Sequence, residues 1–150
     1  MKLHPLHPLL VHAPIACWAF TPVFDAIALV FNVSFFWQAG ALMAAIGVLA
    51  GAVAATAGAI DLPHAQAKVS KLAVAHASLM SGAWLLATIG LIGRVGSGFQ
   101  AILPPPWWAI AASSAALLIM IVGAWCGGEM VYGHAIGVRD QPPDAGLNGD

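Results

Sequence analysis

The chain has 150 residues, a formal net charge of −1, 61% hydrophobic residues and only 7% charged ones. Soluble domains average about 45–50% apolar and about 25% charged residues, so a soluble globular fold is excluded. The near-neutral balance and the five scattered Lys/Arg leave no basic face for nucleic acid.

Four apolar stretches are each long enough for a bilayer core, which needs about 20 residues. The first runs from Leu9 to Phe31, after the repeated His-Pro unit HPLHPLLVH. MKLHPLHPLLVHAP lacks a positive n-region leading into an h-region, so this stretch reads as a retained helix rather than a signal peptide. Pro14 and Pro22 are expected to kink it. Asp25 lies well inside. A lone carboxyl in lipid is costly, so it is expected to face inward and bond to Thr21, Thr56 or Thr88. A proton path or quinone contact is the functional alternative for this buried acid.

Asn32-Val33-Ser34 is a very short connection, so the second stretch, Phe35 to Ile60, is an antiparallel neighbour of the first. Gly40, Gly47, Gly51 and Gly58 share one helical face. Close helix packing explains such a face; a flat surface for a planar macrocycle is the sharper alternative. The connection from Asp61 to Lys71 is polar, with room for a short helix. The third stretch runs from Leu72 to Ile92. A Gly/Pro-rich connection, residues 93–106, leads to the fourth, Trp107 to Val131. The expected fold is all-α: an integral membrane antiparallel four-helix bundle with both termini on the same side. One domain spans 1–138, and 139–150 form a polar disordered tail.

This topology gathers every histidine at one end: His4, His7, His12, His64, His76 and His134. That end also holds Lys2, Lys68, Lys71 and Arg139, against Arg94 alone on the other, which favours a cytoplasmic N-terminus. Trp37, Trp107 and Trp108 are expected at the far interface, Trp125 and Tyr132 at the near one. Cys17 and Cys126 form no CxxC or CxxCH, so covalent haem attachment is not supported, and both read as apolar-facing thiols.

His12 and His76 each lie about one turn inside spans that start at the same face, at comparable depth. Helix bundles place cofactors between facing helices, so this pair fits the two axial positions of a haem b iron. His7 and His134 are further candidate ligands, and Asp61 or Glu129 could hold a ligand imidazole by its second N–H. A non-haem copper or zinc site from His4, His7, Asp61, Glu129 and His134 is the alternative. A third reading has no cofactor: a core histidine bonded to a carbonyl, or an interfacial one, needs no metal, and the chain is then a structural anchor. No HExxH occurs, so a metalloprotease motif is absent.

The pieces HPLHPLLVHAPIA (4–16), Asp25, TAGAIDLP (56–63), KLAVAHASLM (71–80) and GGEMVYGHAIGV (127–138) resemble a bacterial membrane family catalogued as domain of unknown function 2231. The resemblance implies a multi-pass protein of the bacterial inner membrane. Family members associated with c-type cytochrome domains imply respiratory electron transfer with periplasmic or other membrane redox subunits. Such fusions also imply a C-terminal side outside the cytoplasm, against the charge count. Ala13 replaces the family's usual phenylalanine after the third histidine, leaving more room beside His12. The leading expectation is a b-type cytochrome subunit that passes electrons between a redox partner and quinone or another cytochrome. It would serve a larger redox complex rather than act as an enzyme by itself. One haem is expected, since a transmembrane diheme relay would need histidines at both faces.

Overall fold

The computed structural model describes residues 7–61, 70–96 and 100–135. Five helices follow in order: α1 (His7–Leu10), α2 (His12–Phe31), α3 (Ser34–Asp61), α4 (Ser70–Ile92) and α5 (Trp107–Tyr132). Among the described residues the only β-pairing is an isolated bridge between Val95 and Ala101. Four segments are long and apolar enough to cross a membrane: His7–Phe31, Ser34–Ile60, Lys71–Ile92 and Trp107–Tyr132. The expected tail, residues 139–150, the connection 62–69, His4 and His64 lie outside the described residues.

Local chemistry sets the boundaries. Pro14 has no N–H to offer the carbonyl of Leu10, and the first span is divided there: α1 ends at Leu10 and α2 starts at His12. Continuity is kept by Val11 N–H to His7 O and Ile15 N–H to Val11 O. Asn32 closes α2 in the left-handed conformation (φ 53°, ψ 41°). Asparagine enters that region more readily than most residues, and two residues later α3 begins. Pro106, extended at ψ 146°, sets up α5.

α2 packs against α3 and α4 against α5 most extensively; α3 with α4 and α2 with α5 close the assembly. Its centre is built from Trp18, Val48, Ala83, Ala87, Ala116 and Met120. Small residues let the helices come close where lipid supplies no hydrophobic drive. The glycine face of α3 is not a flat bed for a macrocycle, because protein side chains already fill it. A Cβ on Gly47 would stand 2.5 Å from the Trp18 indole, and one on Gly51 2.9 Å from both Trp18 and Trp84. Trp84 Nε1–H donates to Val48 O at 2.9 Å, pinning α4 to α3. The hydroxyls of Thr21, Thr56, Thr88, Ser113 and Ser114 bond back to carbonyls one turn earlier.

One aromatic expectation fails. Trp37 is buried among the helices rather than in an interfacial belt, whereas Trp107, Trp125 and Tyr132 are highly exposed.

Candidate functional site

Two polar centres lie at opposite ends of the assembly. The first joins His7 of α1 to His76 of α4. Their ring centroids are 6.2 Å apart and their planes nearly perpendicular, at 86°. His7 Nδ1–H donates to the carbonyl of Ala54 on α3 at 2.8 Å. His76 Nδ1–H donates to the carbonyl of Gly123 on α5 at 2.7 Å. A carbonyl only accepts, so each Nδ1 carries hydrogen, and a neutral imidazole with Nδ1–H has its lone pair on Nε2. A glycine four residues beyond each carbonyl makes the approach possible. A Cβ on Gly58 would stand 2.9 Å from His7 Nδ1, and one on Gly127 3.2 Å from His76 Nδ1.

Both rings are half-buried, and among the described residues each is held through Nδ1 alone. That is the usual arrangement of a metal-ligating histidine, whose outer N–H is held by a carbonyl or carboxylate. With metal–imidazole bonds of about 2.0–2.1 Å, two rings sharing one metal would stand about 6 Å apart between centres.

The histidine beside His76 is His7 rather than His12. His12 is exposed, and its Nδ1–H donates to Leu9 O within its own turn at 3.3 Å. Depth along the helix favours His12; the face of the helix decides for His7. His7 shares one helical face with the buried Pro14, Trp18, Thr21 and Asp25, whereas His12 is turned about 140° from that face. This phase is the sequence signal that identifies His7.

Of the non-haem set, His4 and the Asp61 side chain lie outside the described residues. His134 and Glu129 are exposed, and Glu129 lies against Gly133. Among the described residues no three His, Cys, Asp or Glu side chains come together. Cys17 and Cys126 are free thiols.

The second centre corrects the expected environment of Asp25. Arg94 reaches it with Nη1 to Oδ1 at 2.8 Å and Nη2 to Oδ2 at 2.6 Å. The guanidinium also donates to Ser113 Oγ at 3.2 Å. Thr21, Thr56 and Thr88 bond to backbone carbonyls and not to Asp25. Arg94 is not a free cation of the far loop, being 1% exposed. Gly40 makes room for the pair, since a Cβ there would stand 3.1 Å from Asp25 Oδ1.

Four apolar spans with polar contacts turned inward define a multi-pass integral membrane protein. Over residues 3–140 the chain matches the family described as predicted membrane protein (DUF2231), and it belongs to that family. No curated protein and no solved structure matches it.

Proposed function

We propose that this protein is a haem-binding electron-transfer subunit of a bacterial inner membrane complex. Its helices form an antiparallel bundle with both termini on one side, and His7 and His76 would hold one haem b. The reading rests on one observation: two imidazoles from different helix pairs, 6.2 Å apart, each tied through Nδ1 to a main-chain carbonyl.

The chain's own residues bind and orient. The Ala54 and Gly123 carbonyls fix each ring's tautomer and make its Nε2 a better donor. Gly58 and Gly127 hold open the space through which the rings reach those carbonyls. Held by both imidazoles, such a haem would supply one-electron transfer rather than oxygen chemistry. The natural exchange partners are quinone or a further membrane or periplasmic redox subunit.

Purified protein tests this directly. The expected result is a red preparation with a low-spin Soret band that sharpens on dithionite reduction. His7→Ala and His76→Ala should each abolish that spectrum, while His12→Ala should leave it intact. A haem-free wild type expressed in haem-replete cells overturns the proposal.

A structural role is the second reading, favoured by the same two hydrogen bonds. Side-chain bonds between helices in membranes contribute about 0.6 kcal/mol on average. His7 and His76 would then pin α1 to α3 and α4 to α5, as Trp84 pins α4 to α3. Under that reading the wild type is colourless, and the two alanine variants lose stability only.

A further inference from the structure

The contacts repeat along the chain with a fixed step. His7 and Ala54 are 47 positions apart, and so are His76 and Gly123. Asp25 and Arg94 are 69 positions apart, as are His7 and His76. The same step relates the accepting residues Ala54 and Gly123, and the glycines beneath the rings, Gly58 and Gly127.

Burial follows the same step. Trp18 and Ala87, Thr21 and Gly90, Ala44 and Ser113, and Gly51 and Met120 are all buried. Packing does too: α2 with α5 corresponds to α4 with α3, and both interfaces exist. Bulk is traded within the scheme. The first half sets Trp18 near Gly51, and the second has Ala87 and Met120 at those places.

We infer that the chain consists of two structural repeats of one two-helix unit, covering 7–61 and 76–130, related by a pseudo-twofold axis, and that the His7–His76 site lies on this axis. A residue touches its own equivalent only at such an axis. Two such contacts exist, His7 with His76 and Asp25 with Arg94. Equal numbers of residues separate them on both helices, about 27 Å of ideal helix, so together they mark the axis through the molecule. Both repeats run from their histidine towards the ion pair, which makes the rotation axis parallel to the helices, as in parallel-repeat transporters.

Two consequences follow. A site on the axis receives one imidazole, one carbonyl clamp and one glycine from each repeat. Its ligand therefore has two equivalent, opposed coordination positions; this point rests on the haem reading above. The ion pair shows why the repeats share one chain. In a dimer of identical units the axis would set Asp against Asp or Arg against Arg. Distinct repeats, unlike identical ones, can set Asp25 against Arg94.

The axis is tested by spin labels on the full chain in lipid nanodiscs, with Cys17→Ala and Cys126→Ala as background. One sample carries labels at Phe20 and Leu118, the other at their equivalents Ile89 and Leu49, all exposed positions. The two distances should coincide. A difference larger than the width of either distribution overturns the repeat, whether or not haem binds. The site is tested by His7→Gly and His76→Gly, each of which should lose the low-spin signal and regain it with added imidazole to the same extent. A signal that survives either variant, or a rescue confined to one, overturns the axial placement. A wild type without haem defeats the functional reading alone, and the label distances still decide the repeat.

Discussion

Arg94 grips Asp25 edge to edge through two parallel bonds, with side chains 1% and 2% exposed. Taking two charges out of water costs about as much as their attraction returns, whereas removing one partner leaves a buried charge uncompensated. Asp25→Leu or Arg94→Met alone should therefore destabilise the fold by about 3–5 kcal/mol. The combined Asp25→Leu/Arg94→Met variant should recover most of that loss. Reversible unfolding in mixed micelles measures all three, and a double variant as weak as the singles refutes the account.

Charge reversal probes the same pair through its symmetry. Asp25→Arg sets two cations face to face, and Arg94→Asp two carboxylates. Each should sharply reduce the folded, membrane-inserted yield. Joining the two changes restores opposite charges on equivalent positions, and the yield should rise again. No recovery in the joint variant would show that the two positions are not interchangeable.

Glycine positions separate close packing from mere helical composition. Gly47→Ala drives a Cβ to 2.5 Å from the Trp18 ring, and such overpacking costs about 1–3 kcal/mol. Gly82 has nothing within 4 Å of its added Cβ. There the better helix propensity of alanine should leave stability equal or raise it by up to about 1 kcal/mol. Equal effects at the two sites would contradict the packing described.

Gly58→Ala and Gly127→Ala act on the imidazoles. The new methyl crowds His7 or His76, so the ring must shift, the more so at Gly58, and its bond to the carbonyl weakens. The loss of each bond should cost about 0.6 kcal/mol and shift the ring's ¹⁵Nδ1 resonance. An unchanged resonance in either variant would mean that the ring never depended on the glycine.

Hydropathy and length made the four spans legible, because a bilayer fixes how many apolar residues a helix needs. The second and fourth are observed as Ser34–Ile60 and Trp107–Tyr132, close to the expected 35–60 and 107–131. The first differs at its start: helix begins at His7 rather than Leu9, and α1 is divided from α2 at Val11. Depth along the span pointed to His76, but helical phase was needed to see that His7 rather than His12 is its neighbour. Arg94 was hidden by its place beyond the last turn of α4, which reads as a solvated loop. Asp25 was correctly placed facing inward, yet its partner lies 69 positions away, beyond the reach of local pattern. The repeat was hidden because few equivalents are identical: Trp18 answers to Ala87, and Asp25 to its opposite charge, Arg94.

The ion pair also constrains the order of biogenesis. Asp25 leaves the ribosome well before Arg94, so the first two spans enter the bilayer carrying an unmatched carboxyl. That acid stays a liability until the third span arrives with its guanidinium. A chain ending before Arg94 would leave Asp25 without the guanidinium that holds it in the full protein.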